Sequence, residues 1–159
     1  MYIKSDREIE IMRSAGRIVA EVLEKMKEVI QPGITTKEID QLAEEHIKKS
    51  GGIPAFLGYN GYPASVCASV NEEVVHGIPG HRVLRDGDII GIDVGAFYNG
   101  YCGDAARTFE VGNCSEKAKR LIKVAEESFF AGIEYAQEGN RLQDISHAIQ
   151  VHVESNGFS

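Results

Sequence analysis

The sequence predicts an α+β protein in which an antiparallel β-sheet is flanked along the chain by two pairs of helices. Helical periodicity fills the first fifty residues, three apolar strand-like stretches lie between residues 65 and 111, and helical periodicity returns from residue 115. The chain of 159 residues has the length of one ordinary domain, and its 43% hydrophobic and 26% charged residues match a globular protein with a buried core.

The first helix pair is predicted from its start and stop signals. Ser5 and Glu8 form a capping box that opens the first helix, and Thr35 and Glu38 form a second one. Gly51-Gly52 ends the second helix. The first helix carries one apolar stripe at three- and four-residue spacing, formed by Ile9, Met12, Gly16, Val19, Leu23, Met26 and Ile30.

Three strands are expected at residues 65–70, 88–97 and 101–111, and the last two form a hairpin. Asn99-Gly100 between them is a strong signal for a two-residue hairpin loop. Such a loop places Asp93 opposite Ala106 and puts Asp104 on the same face of the sheet as Asp93.

Diagonal neighbours of this kind lie roughly 7 Å apart, so both carboxylates can reach one cation. A three-residue loop would place Asp93 and Asp104 on opposite faces. The pair therefore has two interpretations: a metal-binding pair, or one capping and one turn aspartate hydrogen-bonded to the backbone.

The second helix pair is predicted at residues 115–137 and 142–155 and resembles the first. A shift of 106 positions superposes identical residues in the two pairs. These are Gln31 and Gln137, Gly33 and Gly139, Ile39 and Ile145, His46 and His152, and Gly51 and Gly157. We therefore expect one domain, 1–159, with a first repeat at about 1–112 and the start of a second at about 113–159, its own strands missing.

Composition excludes several classes of function. A net charge of −7 argues against direct nucleic-acid binding, and no apolar stretch approaches a membrane span. No signal peptide is visible. Three cysteines without CxxC spacing predict a reduced, cytoplasmic protein. No nucleotide-binding glycine motif and no GxSxG motif occurs.

Two further stretches carry candidate functional residues. His76 follows an apolar strand, where a neutral imidazole could bind substrate, donate a proton or ligate metal, or have a structural role alone. The loop of residues 58–63 contributes either to a small apolar pocket or to a packed Ω-loop. The pocket would be lined by Phe56, Tyr59, Tyr62 and Cys67.

Three blocks taken together closely resemble the bacterial, type I methionine aminopeptidase family. They are GYNGYPASVCASVNEEVVHGIP at 58–79, GDIIGIDVG at 87–95 and GDAARTF at 103–109. The resemblance extends from the first helix to Ser159. It implies the pita-bread fold with an internal pseudo-twofold repeat, and removal of the initiator methionine from nascent proteins whose second residue is small.

The resemblance also implies roles for single residues. Asp93 would be a metal ligand, Asp104 would bridge two divalent ions, and His76 would contact the scissile group of the substrate. Tyr59, Tyr62 and Cys67 match positions that line the methionine pocket, and Phe56 stands where that pocket often has a cysteine. The ions would be Co²⁺, Mn²⁺, Fe²⁺ or Zn²⁺, since carboxylates and imidazole do not separate these metals.

The resemblance implies that the site is incomplete in this chain. Family members extend about a hundred residues further and supply a His ligand, two Glu ligands and a second substrate-contacting His. Two carboxylates do not satisfy two divalent ions. We therefore expect an amino-terminal part of the enzyme that is inactive alone. The alternatives are a homodimer that combines Asp93 and Asp104 of two copies, and a non-catalytic binding module of the same fold.

Overall fold

The computed structural model describes residues 2–159 and confirms the predicted α+β order. The elements are α1 Asp6–Val29, α2 Thr36–Lys49, β1 Ile53–Pro54, β2 Val66–Val70, β3 Ile89–Tyr98, β4 Tyr101–Glu110, α3 Glu116–Ile133 and α4 Leu142–Ser155. The chain divides into two compact units, of which the first ends at Cys114 and the second comprises Ser115–Ser159.

Both predicted capping boxes start helices in the first unit. The Glu8 carboxylate accepts the Ser5 N–H at 2.7 Å, and the Ser5 hydroxyl accepts the Glu8 N–H at 3.4 Å. Thr35 and Glu38 repeat the arrangement at the start of α2. These reciprocal bonds satisfy backbone donors that a helix start leaves without intrahelical partners.

The apolar stripe of α1 is only partly where the sequence predicted it. Val19, Leu23 and Met26 are buried, together with Ala15, Ile18 and Val22. The first two residues of the predicted stripe, Ile9 and Met12, are 41% and 39% exposed. Burial in α1 begins at Ala15, where the helix backbone lies against β4, so the part of the stripe before that contact stays exposed.

The sheet of the first unit is antiparallel and centred on β3. β4 pairs with the whole of β3, and β2 and β1 also pair with it. The two-residue strand β1, which the sequence did not predict, pairs Ile53 with Phe97. β2 pairs through Val66 to Val70, so Cys67 lies directly opposite Asp93.

One face of this sheet forms the core against α1 and α2. Ile90, Ile92 and Val94 of β3 are fully buried there. A fully buried side chain of this size contributes roughly 1.5–3 kcal/mol. Because side chains alternate along a strand, the intervening residues Gly91, Asp93 and Gly95 lie on the opposite face. The core side thus fixes which residues the other face presents.

The second unit is a helix pair. The Ser115 hydroxyl accepts the Ala118 N–H at 3.2 Å and caps α3. A Cβ at Gly132 would lie 2.6 Å from Cγ1 of Ile149, so this glycine allows α3 and α4 to approach closely. α3 ends at Ile133, four residues before the predicted end, whereas α4 matches its predicted range. Within residues 2–159, no helix has the length and apolar content needed to cross a bilayer.

Candidate metal centre

The hairpin turn between β3 and β4 has the predicted geometry. Asn99 and Gly100 have φ values of 47° and 84°, the positive values at both central positions that a type I′ turn requires. The register follows from this two-residue loop: Asp93 lies opposite Ala106, and Asp104 lies opposite Gly95. The predicted pairing is confirmed.

Asp93 and Asp104 therefore share one face of the hairpin. Both lie within strands, which contradicts the alternative of one capping and one turn aspartate. Asp93 is half-buried and Asp104 is exposed. Burial raises the pKa of Asp93, and the Asp104 charge raises it further, while His76 and the Val94 amide act in the opposite direction. A cation bound between the two carboxylates would offset their mutual repulsion, so this placement suits a metal site.

Cys67 and Tyr62 lie beside this carboxylate pair. Cys67 is buried opposite Asp93, and its burial raises the pKa of the thiol, with further contributions from the Asp93 and Asp104 charges. The Tyr62 hydroxyl lies 3.1 Å from the Val66 carbonyl oxygen. Burial raises the pKa of Tyr62, and the negative charge of Asp93 raises it further.

The remaining predicted pocket residues differ in their relation to the pair. The Phe56 ring lies against Gly95, since a Cβ there would be 2.8 Å from Cε1 of that ring, and Gly95 is opposite Asp104. Tyr59 is 70% exposed in a single 3₁₀ turn, Tyr59–Gly61. Its backbone N–H donates to the Phe56 carbonyl oxygen at 2.9 Å, and its side chain makes no hydrogen bond to any residue within 2–159.

His76 is exposed and lies near enough to Asp93 to lower the pKa of that carboxyl. Its φ of 59° lies in the left-handed region, which residues other than glycine rarely adopt. Such strain clusters at functional sites, where the surrounding structure maintains it. The sequence indicated His76 through its position after a strand, but not this backbone conformation.

Asp40 is a residue that the sequence analysis did not single out. Its Oδ1 accepts the Ser65 N–H at 2.7 Å and the Val66 N–H at 3.0 Å, which fastens α2 to the start of β2. Burial raises its pKa, against the effect of these two hydrogen bonds. Asp40 thereby helps to place β2 and Cys67. No local motif could have revealed it, because the bond spans 25 residues.

The donor set fits part of a divalent-cation site. Asp93 and Asp104 supply hard carboxylate oxygens on one face, the ligands that Mn²⁺ and similar ions accept. Within residues 2–159, no group of three or more His, Cys, Asp or Glu side chains converges as a metal site. A divalent ion usually takes about six ligands, so the pair provides only a fraction of a coordination shell.

Comparison with known proteins places these residues in a family. Residues 10–159 match the model of metallopeptidase family M24. The chain is 60% identical to methionine aminopeptidase of Clostridium acetobutylicum over 159 residues, covering 99% of this chain and 64% of that protein. It is 60% identical to methionine aminopeptidase 1 of Bacillus subtilis over 156 residues, covering 98% and 63%.

A solved structure supports the same relationship. Methionine aminopeptidase from Thermotoga maritima superposes with a TM-score of 0.96 at 46% identity, covering 99% of this chain and 64% of that one. The predicted fold class is thereby confirmed for the part of the fold that this chain contains. The chain spans 64% of the Clostridium acetobutylicum relative and 56% of methionine aminopeptidase 1 of Mycobacterium tuberculosis, less than two thirds of either protein.

Proposed function

Because this chain belongs to metallopeptidase family M24, we propose that it is part of an aminopeptidase that removes the N-terminal methionine from polypeptides. The observation that carries the proposal is the placement of Asp93 and Asp104 on one face of a hairpin, with His76 nearby. The polypeptides would be nascent proteins in the cytoplasm whose second residue is small.

Each residue of the cluster has a role in this proposal. Asp93 would be a ligand of a divalent metal ion, and Asp104 would be shared between two such ions. Tyr62, Cys67 and Phe56 would bind the methionine side chain, and Tyr59 would line the outer part of the same pocket. The buried thiol of Cys67 suits an apolar thioether, because sulfur and aromatic groups pack favourably with methionine.

The chemistry follows from these side chains. A divalent ion, when bound, would act as a Lewis acid that polarises a peptide carbonyl and makes water a stronger nucleophile. The chain's own contribution is to hold the two carboxylates at fixed register and to offer the His76 imidazole as a donor to the scissile group. A donor placed before charge develops lowers the barrier without reorganisation. The metal would be Co²⁺, Mn²⁺, Fe²⁺ or Zn²⁺.

We also propose that the two helix pairs are copies of one another within a single catalytic domain. Adding 106 to the bounds of α2, Thr36–Lys49, gives the bounds of α4, Leu142–Ser155. Each pair joins its two helices through a Glu–His contact at matching positions. The contacts are Glu21–His46 at 3.2 Å and Glu127–His152 at 3.4 Å. The first repeat would cover about residues 1–112 and the second would begin at about 113.

Metal binding tests the proposed site directly. Mn²⁺ titration followed by electron paramagnetic resonance should show weak binding to this chain, weak because Asp93 and Asp104 supply few ligands. Asp104→Asn should reduce the affinity by about tenfold or more, since affinity depends on the number of charged ligands. Glu110→Gln is the matched control, because Glu110 is an exposed carboxylate on the same face of the same strand. Equal affinities in the two variants would contradict the assignment.

A further inference from the structure

Residues 71–80 connect β2 to the turn before β3, contain His76, and are called the His76 loop below. Both ends of the loop are fastened by hydrogen bonds. The Asn71 N–H donates to the Ile89 carbonyl oxygen at 3.0 Å, and the Gly80 N–H donates to the Thr36 hydroxyl at 2.9 Å. The position of the middle of the loop therefore depends on contacts of its own.

The middle of the His76 loop is fastened to β2 at Gly77. The Gly77 N–H donates to the Ser69 hydroxyl at 3.1 Å, and the Gly77 carbonyl oxygen accepts the Ala68 N–H at 2.8 Å. The Tyr62 hydroxyl lies 3.2 Å from the same carbonyl oxygen. A Cβ at Gly77 would lie 2.4 Å from the Ala68 carbonyl oxygen, so only glycine lets the loop backbone lie directly against the strand.

His76 lies one residue before this fastening point. Its ring makes no hydrogen bond to any residue in the described range 2–159, and its φ of 59° lies in the sparsely populated left-handed region. A strained conformation persists only where neighbouring contacts fix it. The nearest fixed point along the chain is the Gly77 peptide, whose N–H and carbonyl oxygen are both hydrogen-bonded to β2.

Ser69 makes one of these contacts through a side chain. It is 8% exposed and lies on the same strand face as Cys67, two residues away. Its hydroxyl is the acceptor for the Gly77 N–H. The ladder of β2 and β3 pairs Ser69 with Gly91, which fixes the serine relative to Asp93 two residues further along β3.

We propose that Ser69 is a positioning residue for His76: its hydroxyl holds the Gly77 peptide against β2 and thereby keeps the His76 backbone in the left-handed conformation near Asp93. The inference rests on the proposed function in giving His76 a contact with the substrate. The effect on backbone order is independent of that function. Ser69 itself would touch neither metal nor substrate.

Replacing Ser69 by alanine leaves the Gly77 N–H without its acceptor. The Ala68 bond to Gly77 remains, so β2 and the fold should persist. The His76 loop should then move more freely, because one of the bonds that offset the strain at His76 is lost. Ser69→Thr keeps a hydroxyl at the same place and should restore the order.

Ser65 provides a matched control. It is a second buried serine, just before β2, and its hydroxyl has no hydrogen-bond partner within the described residues. Ser65→Ala removes the same atom from the same region without freeing a donor. It should leave the His76 loop unchanged, since no bond to the loop is lost.

¹⁵N relaxation of the whole chain tests the proposal. In the parent protein and in Ser69→Thr and Ser65→Ala, the order parameters of His76 and Gly77 should be near about 0.85, the value of rigid backbone. In Ser69→Ala they should fall below about 0.6 while values in β3 and β4 stay unchanged. Unchanged order at His76 in Ser69→Ala, or loss of order in Ser65→Ala as well, would overturn the proposal.

Two additions make the result decisive. If Ser69→Ala fails to fold, Ser69→Cys replaces the hydroxyl by a thiol, which is only a weak acceptor, and should also lower order at His76; no change would overturn the inference. Adding Mn²⁺ should broaden the His76 ring resonances in the parent more than in Ser69→Ala, whose ring spends less time near Asp93. Absence of broadening in every variant would contradict a metal ion bound by the Asp93–Asp104 pair close to His76, while the order parameters would still decide the role of Ser69.

Discussion

Asp40 offers a sharp test of how the first unit positions the site. Ser65 and Val66 are both fully buried, and their N–H groups donate to one Asp40 oxygen. Asp40→Ala leaves two buried donors unsatisfied, at about 1–3 kcal/mol each. Because the substitution also removes a half-buried charge that burial disfavours, part of this loss of stability is recovered. We expect a net loss of about 2–4 kcal/mol, or roughly 4–16 °C in Tm for a chain of this length.

Asp40→Asn is the matched variant, because its amide oxygen still accepts both N–H groups while the buried charge is gone. It should lose less than about 1 kcal/mol at neutral pH. Urea unfolding followed by circular dichroism measures both variants. A loss below about 0.5 kcal/mol for Asp40→Ala, or equal losses for the two variants, would refute the argument that the two hydrogen bonds fasten β2 to α2.

The sign of the pH dependence follows from the raised pKa of Asp40. A carboxyl whose pKa is higher in the folded state favours folding fully below its unfolded value of 3.8, and this contribution is lost as pH rises through the folded value. Asp40→Asn cannot ionise. Its stability relative to the parent should therefore increase from pH 3.5 to pH 7. A relative decrease would mean that the two hydrogen bonds outweigh burial.

Three further residues lie on α1 or contact it from β4. Tyr101→Phe removes the hydroxyl that donates to Glu8 at 2.6 Å, so the pKa of Glu8 should rise from about 2, as a ¹³C carboxyl titration would show; an unchanged midpoint would contradict the bond. The Glu8 carboxylate stabilises the fold above its ordinary pKa of 4.5, and this contribution is lost as pH falls toward 2. The stability lost on acidification should therefore be smaller in Tyr101→Phe than in the parent protein. Gly103→Ala should destabilise the fold by about 2–3 kcal/mol in urea unfolding, since its Cβ would lie 2.5 Å from the Ala15 carbonyl carbon, whereas an effect below about 1 kcal/mol would refute that close approach. Gly16→Ala, whose Cβ meets nothing within 4 Å, should instead stabilise α1 by about 0.5–1 kcal/mol, and destabilisation would show an unseen contact.

Local sequence signals predicted the helix starts and the hairpin register. Capping boxes at Ser5 and Thr35 need only residues within one turn, and Asn99-Gly100 fixes its own turn conformation. The shared face of Asp93 and Asp104 followed from these signals alone, because one two-residue loop sets the alternation along both strands.

The features that the sequence did not reveal depend on long-range packing. The pairing of Cys67 with Asp93 crosses a long loop whose length does not set register. The strand β1 is two residues long and too short for any periodicity, and Asp40 bonds across 25 residues. The exposure of Ile9 and Met12 likewise reflects where α1 meets the sheet rather than their spacing.

Release of methionine from a Met-Gly-Met peptide tests the central claim most directly. This chain alone with Mn²⁺ or Co²⁺ should show no turnover, because Asp93 and Asp104 supply only part of a metal site. Adding the part of the Clostridium acetobutylicum relative that this chain does not span should produce turnover, and Asp104→Ala should abolish it. Turnover by the chain alone that Asp104→Ala removes would contradict the incomplete site. Absence of turnover in a folded, metal-loaded complex of the two parts would contradict the proposed aminopeptidase activity.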